Sequence, residues 1–252
     1  MSHPFDLTGK VAIVTGANTG LGQGMAVSLA EAGADLALVG RSAPEETVEL
    51  VEKTGRKAHV IMGDLGSLEP IGKIVGETKE VLGGIDILVN NAGIIKRNDS
   101  IDFTEEDWDA VMDINLKTLF FLSQAVAKEM IAAGKGGKII NIASMLSYQG
   151  GIRVPSYTAS KSGVMGLTRI LANEWAAHGI NVNAIAPGYF ATNNTAALQA
   201  DEKRNSEILG RIPAGRWGKP SDLGGAAVFL SSSASDYVQG ITLPVDGGWL
   251  AR

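Results

Sequence analysis

The run from Lys10 to Gly33 constrains the fold most, because it reads as a strand, a glycine-rich turn and a helix in immediate succession. Its turn has the spacing TGxxxGxG from Thr15 to Gly22, a variant of the dinucleotide-binding fingerprint. Glycines let the backbone approach a pyrophosphate, and the amino terminus of a helix offers unpaired N–H groups. A glycine turn without a ligand is the alternative, and the flanking strand and helix favour the ligand.

Strands and helices alternate along the whole chain. Short apolar runs predict strands at 10–15, 35–39, 58–62, 85–89, 138–143, 180–186 and 242–246. This alternation predicts an α/β fold, a Rossmann-type doubly wound sheet of about seven parallel strands with helices on both faces. Because no linker, repeat or low-complexity tract interrupts the 252 residues, we predict a single domain over 1–252.

The composition excludes several classes of protein. With a net charge of −5 and no basic run, nucleic-acid binding has no support. The chain has no cysteine, which excludes disulfides and thiolate chemistry, and it has no zinc-ligand pattern, so no metal is expected. The amino terminus has no apolar signal core, and no apolar run has the length of a membrane span. We expect a soluble, cytoplasmic protein.

Ser144, Tyr157 and Lys161 form the pattern that points to chemistry. A helix predicted over 156–177 places Tyr157 and Lys161 on one face, because they are four residues apart. The ammonium is then expected to lower the pKa of the phenol below its usual value of about 10, which suits proton exchange with an alcohol or a carbonyl. Ser144 follows a buried strand, and its hydroxyl could hold the same substrate oxygen. An exposed helix face and a capping serine are the ordinary alternatives.

Two strand ends carry residues that bear on the dinucleotide. Arg41 is the only charge after the second strand, where an acid would bind the ribose of NAD and an arginine could accommodate the 2′-phosphate of NADP. Arg41 could equally be a solvated turn residue or stack on the adenine. Asp64, after the third strand, could contact the adenine or cap the helix predicted over 68–82.

Polar residues mark three further places. The run Asn90–Gly93 ends the fourth strand, and its glycine leaves room for a ribose. Asn115 interrupts a helix predicted over 104–130, where its side chain competes for backbone groups. This asparagine is either a tolerated local defect or part of a kinked turn whose free carbonyl holds a water near Lys161. The polar segment 189–216 predicts a lid over the substrate, with an ordinary surface insertion as the alternative.

These motifs, in this order and spacing, resemble the short-chain dehydrogenase/reductase family over essentially the whole chain. The resemblance implies that Ser144 polarises a carbonyl and that Tyr157 is the general acid and base. It implies that Lys161 lowers the pKa of the tyrosine and holds the nicotinamide ribose, while Asn115 supports a proton relay. The cofactor site it implies comprises Thr15, Gly16, Asn18, Thr19, Gly20, Leu21, Gly22, Arg41, Asp64, Leu65, Asn91, Ala92, Gly93, Tyr157, Lys161, Pro187, Gly188 and Thr192.

Within the family, the runs 144–162, 186–195, 211–217 and 245–252 are similar to bacterial oxidoreductases of pectin and alginate breakdown. That resemblance implies interconversion of 2-keto-3-deoxygluconate and its 2,5-diketo form at C5, with NAD as the general cofactor and a homotetramer as the common assembly. Because Arg41 favours NADP, both cofactors stay open. The alternatives are a reductase of the alginate-derived 4-deoxy-5-keto uronate, a 2-deoxygluconate 3-dehydrogenase, and a non-catalytic regulator that senses dinucleotides.

A sugar acid needs a cation for its carboxylate and polar groups for its hydroxyls. Arg153 is the favoured cation because it lies between Ser144 and Tyr157, although a solvated surface arginine is the ordinary alternative. The polar lid argues against a steroid or fatty-acyl substrate. The predicted substrate residues are Met145, Gln149, Arg153, Arg97 and Asn194.

Overall fold

The computed structural model describes residues 3–252, in which seven parallel strands form one sheet. The strands are β1 (Val11–Thr15), β2 (Asp35–Gly40), β3 (Ala58–Met62), β4 (Ile87–Asn90), β5 (Gly137–Ile142), β6 (Ile180–Pro187) and β7 (Thr242–Val245). Their order in the sheet is β3-β2-β1-β4-β5-β6-β7, so the chain changes direction across the sheet after β3. Such a switch point opens a crevice at the carboxyl ends of β1 and β4, where ligands bind in doubly wound folds.

Helices cover both faces of the sheet, as the alternation predicts. Within residues 3–252 the α-helices are α1 (Gly20–Glu31), α2 (Glu45–Lys53), α3 (Ile71–Leu82), α4 (Glu105–Met112), α5 (Leu119–Ala133), α6 (Pro155–Trp175), α7 (Ala196–Ala200), α8 (Glu202–Arg211) and α9 (Gly224–Ser231). None of these helices is both long and apolar enough to cross a membrane.

Each face of the sheet has its own hydrophobic core. Successive side chains of a strand point to opposite faces, so Val14 packs in one cluster and Ile13 in the other. The first cluster includes Leu29 of α1 and Leu230 of α9, and the second includes Leu122 of α5. This double burial explains why the strands read as continuous apolar runs.

The prediction of one continuous helix over 104–130 is wrong. Helix α4 ends at Met112, a π-helical turn spans Asp113–Thr118, and α5 begins at Leu119. Asn115 lies in that turn, where its side chain bonds the backbone of Ile94 instead of competing within a regular helix. The interpretation of Asn115 as part of an irregular turn is therefore confirmed.

The segment predicted to be a lid contains α7 and α8 and packs on the carboxyl terminus. Ile208 and Ile212 form a small apolar cluster with Met145 and Trp249. The guanidinium carbon of Arg211 also lies 4.1 Å from the ring centroid of the Trp249 indole. Segment 189–216 is thus joined to the chain segment that follows β5, and its role as a lid stays a prediction.

Close packing of α1 predicts opposite effects for two helical glycines. A Cβ on Gly24 would lie 2.6 Å from the carbonyl oxygen of Pro220, whereas a Cβ on Gly76 of α3 would meet no atom within 4 Å. We expect Gly24→Ala to lower the free energy of unfolding by about 1–3 kcal/mol through overpacking. Gly76→Ala, the matched control, should raise it by about 0.5–1 kcal/mol. Urea unfolding measures both, and a loss of stability at both positions would contradict the assignment of the close contact.

Candidate active site

The carboxyl ends of the central strands border a cavity of about 470 Å³. That volume is typical of a small-molecule site. Most of the predicted site residues come together here. The predicted residues that line the cavity are Gly16, Asn18, Thr19, Gly20, Leu21, Gly22, Arg41, Asp64, Leu65, Asn91, Ala92, Gly93, Arg97, Tyr157, Lys161, Thr192 and Asn194.

The glycine turn presents backbone donors to this cavity. Gly16 and Gly20 have φ angles of +64° and +60°, which L side chains rarely adopt. Helix α1 begins at Gly20, and Thr19 at its amino-terminal cap makes no capping hydrogen bond through its side chain. The first N–H groups of α1 are therefore left without a side-chain acceptor, which fits the pyrophosphate of a dinucleotide.

Hydrogen bonds of Asn91 and Thr15 join the glycine turn to the loop after β4. The Asn91 amide donates to the carbonyl oxygens of Thr15 at 2.9 Å and Gly16 at 3.1 Å. The Thr15 hydroxyl accepts the backbone N–H groups of Asn91 and Ala92, each at 3.0 Å. These two predicted cofactor residues thus fix β1 against the loop after β4.

The turn after β2 carries the exposed Arg41 and is held to the glycine turn by a side-chain hydrogen bond. Arg41 is exposed, lines the cavity and forms no salt bridge within residues 3–252. The Asn18 amide donates to the carbonyl oxygen of Ser42 and, at 2.9 Å, to its hydroxyl. A Cβ on Gly40 would overlap the Asn18 side chain. Sequence reasoning missed Gly40 and Ser42, although both flank Arg41 at a strand's carboxyl end.

Asp64 lies beside the cavity and caps its own turn. Its carboxylate accepts the backbone N–H of Gly66 at 2.9 Å. Because α3 begins only at Ile71, the alternative that Asp64 caps the next helix is wrong. Contact between Asp64 and the adenine stays a prediction.

Lys161 is buried on α6 beneath Tyr157. Its side chain is 3% exposed, and its Nζ donates to the carbonyl oxygen of Ile142 at 2.6 Å. Burial lowers the pKa of Lys161 to about 8, because an ammonium loses hydration there. Nζ lies 5.7 Å from the centroid of the Tyr157 ring. The prediction that both side chains leave one face of the helix is confirmed.

The prediction that the pKa of Tyr157 falls below its usual value is wrong in this structure. Burial raises the pKa of Tyr157, and this effect outweighs the hydrogen bond with Ser144 and the charge of Arg97, which both lower it. The Lys161 ammonium is occupied by the Ile142 carbonyl and is itself destabilised by burial. Desolvation, which the sequence pattern does not contain, decides the direction.

Ser144 takes the capping role, and its role at the substrate oxygen stays a prediction. Its hydroxyl accepts the backbone N–H of Leu146 at 3.1 Å and caps a 3₁₀ turn over Met145–Ser147. The same hydroxyl lies within hydrogen-bonding reach of the Tyr157 phenol. Capping therefore holds the serine beside the tyrosine. The neighbouring Met145 does not line the cavity and packs in the apolar cluster with Ile208 and Trp249.

Asn115 links the π-helical turn to the loop after β4. Its amide accepts the N–H of Ile94 and donates to the carbonyl of Ile94, each at 2.9 Å. A Cβ on Gly93 would lie 3.0 Å from Asn115 Oδ1 and 3.7 Å from Lys161 Nζ. Asn115, Gly93 and Lys161 therefore meet, and a water relay between them stays a prediction.

The predicted substrate residues separate into two groups. Arg97 and Asn194 line the cavity, and the Arg97 guanidinium donates to the Asn194 carbonyl oxygen at 3.2 Å. Gln149 and Arg153 lie outside the cavity lining. The Gln149 amide oxygen accepts from Arg211 at 3.0 Å, and Arg153 pairs with Asp99. Direct substrate contact by either residue stays a prediction.

The cavity differs from the predicted cofactor site at both ends of the comparison: some predicted residues lie outside its lining, and several lining residues were not predicted. Pro187 and Gly188, predicted at the cofactor, lie beside β7 and outside the cavity lining, and a Cβ on Gly188 would lie 2.6 Å from Asp246 Cα. Contact of these two residues with the cofactor stays a prediction. The lining residues that were missed, besides Gly40 and Ser42, are Gly63, Ile94, Ile95, Ile114, Ile142, Asn193 and Thr195. Position at a strand end or beside a predicted residue is the signal that could have found them.

A glycine turn over a dinucleotide-sized crevice, with Ser144, Tyr157, Lys161 and Asn115 beside it, defines a short-chain dehydrogenase/reductase, and the chain belongs to that family. The family description that matches is enoyl-(acyl carrier protein) reductase, over residues 16–250. The chain is accordingly an NAD(P)-dependent oxidoreductase.

Particular relatives are similar over almost the whole chain. The 2-dehydro-3-deoxy-D-gluconate 5-dehydrogenase of Escherichia coli K12 is 64% identical, with 98% of each chain covered. The enzyme of that name from Dickeya dadantii is 63% identical, with 99% of each covered. A crystal structure from Agrobacterium tumefaciens, described as a candidate 2-deoxy-D-gluconate 3-dehydrogenase with bound NADP, is 60% identical with a TM-score of 0.92 over 100% of both chains. A gluconate 5-dehydrogenase from Burkholderia cenocepacia in complex with NADP and tartrate is 41% identical, with a TM-score of 0.93 over 99% and 98% of the chains.

The depressed pKa of Lys161 predicts a pH-dependent stability. Below pH 8 the lysine is protonated in both states, and between about pH 8 and pH 10 the unfolded state binds more protons, so stability rises with pH. In this window we expect the free energy of unfolding of the wild type to rise relative to that of Lys161→Met, by up to about 1.4 kcal/mol per pH unit. Urea unfolding from pH 7.5 to 9.5 measures the difference. Lys128→Met on the exposed face of α5 controls for the loss of a lysine, and a constant difference for Lys161→Met would refute the shift.

Proposed function

We propose that this protein interconverts 2-keto-3-deoxygluconate and its 2,5-diketo form at C5. The observation that carries the proposal is the identity of 64%, 63% and 56% to three 2-dehydro-3-deoxy-D-gluconate 5-dehydrogenases, over 98%, 99% and 98% of this chain. The site adds support, because a guanidinium and a phenol face one cavity. A carboxylate and a neighbouring carbonyl are the groups that such a pair would bind.

The proposed chemistry uses two side chains at the substrate oxygen and a third behind them. When bound, the dinucleotide supplies the hydride for reduction or accepts it in oxidation. Tyr157 gives its proton to the C5 oxygen in reduction and takes one in oxidation. Ser144 donates a hydrogen bond to that oxygen and stabilises its developing negative charge. Lys161, held by the Ile142 carbonyl and adjacent to Asn115, passes the proton between Tyr157 and solvent.

We propose Arg97 as the cation that receives the substrate carboxylate. It lines the cavity, and its charge acts on Tyr157, so the carboxylate and the reacting carbonyl would sit on adjacent groups. Its bond to the Asn194 carbonyl brings the lid to the same place. A planar guanidinium binds a carboxylate through two parallel hydrogen bonds, which fixes the orientation of a flexible sugar acid.

We also propose that Arg41 binds the 2′-phosphate of NADP. Its exposed position in the cavity, without a salt bridge within residues 3–252, supports this role, as does the absence of a carboxylate on the run Gly40–Ser42. The similar Agrobacterium and Burkholderia structures hold NADP. NAD remains the expectation from the resemblance to sugar-acid oxidoreductases.

Oxidation of 2-deoxygluconate at C3 is the second candidate function, and the Agrobacterium structure at 60% identity favours it. A non-catalytic regulator has no support, because Ser144, Tyr157, Lys161 and Asn115 are all present in a chain whose close relatives are dehydrogenases. A cytoplasmic homotetramer remains a prediction from family resemblance.

Replacing Tyr157 tests the proton-transfer assignment. We expect Tyr157→Phe to lower kcat by at least about 100-fold, since the phenylalanine cannot donate a proton, while the affinity for NADPH stays within about twofold. Initial rates with 2-keto-3-deoxygluconate and NADP⁺, together with fluorescence titration of NADPH, measure both quantities. Tyr237→Phe, at a fully exposed tyrosine, is the matched control and should keep wild-type rates.

The same assay separates the two candidate substrates. Wild-type enzyme should turn over 2-keto-3-deoxygluconate with a higher kcat/KM than 2-deoxygluconate. Turnover of 2-deoxygluconate alone would establish the second candidate, and equal loss of activity in Tyr157→Phe and Tyr237→Phe would remove Tyr157 from the chemistry.

Replacing Arg41 tests cofactor choice. We expect Arg41→Ala to raise KM for NADPH by about 10-fold or more, because a charge-assisted hydrogen bond to phosphate is lost, with KM for NADH almost unchanged. The ratio of the two KM values is an internal control against misfolding. Lys53→Ala, at an exposed cation of α2, should leave the ratio as it is in wild type. If Arg41→Ala changes neither KM, the arginine is a solvated turn residue.

A further inference from the structure

Arg153 has an unusual backbone and two bonds to one neighbouring segment. Its φ of 64° makes it the only non-glycine residue with positive φ in residues 3–252. Its carbonyl oxygen accepts the backbone N–H of Asn98 at 3.1 Å, and its Nε lies 3.0 Å from Asp99 Oδ1. We call these two contacts the Arg153 clasp.

The backbone of Arg153 is held in a conformation that its side chain disfavours. Such residues persist where the surrounding structure over-determines them, and they concentrate at functional sites. Gly150 and Gly151 lie just before it, yet the left-handed position falls on the arginine. The next residue, Val154, is buried and leads directly into α6, which carries Tyr157. The clasp therefore sits at the entrance of the catalytic helix.

The other side of the clasp directly follows Arg97. Asn98 braces its own turn, since its amide oxygen accepts the N–H of Asp99 at 2.9 Å and its amide nitrogen donates to the Asp102 carbonyl at 3.0 Å. Arg97, the residue before this braced turn, reaches into the cavity and bonds the Asn194 carbonyl. The clasp thus joins the start of α6 to the segment from which Arg97 extends.

We propose that Arg153 is a positioning residue, which holds Arg97 beside Tyr157 through the clasp and thereby sets the affinity for the substrate carboxylate. Arg153 itself does not contact the substrate in this arrangement. The proposal rests on the proposed function, in which Arg97 receives the carboxylate. Because the paired side chains are 59% and 65% exposed, the ion pair contributes little to global stability, and its effect is on local geometry.

Two variants remove the ion pair while keeping the backbone. Arg153→Gly accepts a positive φ without strain and retains the carbonyl that binds Asn98, and Asp99→Asn keeps the size of the side chain. We expect each to raise KM for 2-keto-3-deoxygluconate about threefold to fivefold, the effect of an exposed ion pair, with kcat and the urea midpoint almost unchanged. Arg153→Lys, which keeps the charge, should recover part of the loss.

A double-mutant cycle with Arg97→Gln distinguishes positioning from direct contact. If Arg153 acts through Arg97, Arg153→Gly raises KM in the wild-type background and has no further effect in the Arg97→Gln background. The same fold-increase in both backgrounds would mean that Arg153 binds substrate itself, and would overturn the proposal. An unchanged KM in Arg153→Gly alone would also overturn it.

The single variant Arg97→Gln separates failure of the proposal from failure of the proposed function. A KM unchanged by Arg97→Gln would remove Arg97 as the carboxylate receptor, and the positioning role of Arg153 would fall with it. A KM raised about 10-fold or more by Arg97→Gln, with no effect of Arg153→Gly, would leave the carboxylate site standing and refute the clasp alone.

Discussion

A buried amide pair joins the two strands on which the active site depends. The Asn90 amide at the end of β4 donates to Asn141 Oδ1 on β5 at 2.9 Å. Asn90 also donates to Ser123 of α5 at 2.8 Å, and Asn141 donates to Thr168 of α6 at 3.0 Å. An unsatisfied buried amide would cost about 1–3 kcal/mol, so the bonds hold both strands and both helices in one register. Asn91, the next residue on one strand, braces the glycine turn, and Ile142, the next residue on the other, binds Lys161.

Burial governs the electrostatics of the site that this register creates. Burial shifts the titration of both Lys161 and Tyr157 towards the neutral form, because both side chains lose hydration beside the sheet edge. An ammonium whose pKa is about 8 exchanges its proton readily near neutral pH. The guanidinium of Arg97 lines the same cavity, and its charge acts on the phenol. A protonated phenol beside a lysine that exchanges its proton and near a guanidinium suits reduction of a carbonyl that is attached to a carboxylate-bearing chain.

The loops around the cavity take their positions from contacts with one another. Arg97 bonds segment 189–216 at Asn194, and that segment bonds the segment after β5 through Arg211 and Gln149. Arg153, which lies in that same segment, forms a salt bridge with Asp99, two residues after Arg97. The turn after Arg97, segment 189–216 and the segment after β5 are therefore joined to one another, although the residues concerned lie far apart in the chain.

The sequence by itself determined the α/β fold, the order of elements, and Ser144, Tyr157 and Lys161 as one group, because strand and helix periodicity and glycine spacing are local properties of the chain. It also located most of the cofactor crevice, since parallel strands end at one edge. The tertiary structure alone decided that α4 and α5 are separate helices, that the pKa of Tyr157 rises, and that Arg97 instead of Arg153 faces the cavity. Burial, and the distance between charges in separate loops, depend on segments brought together only by folding.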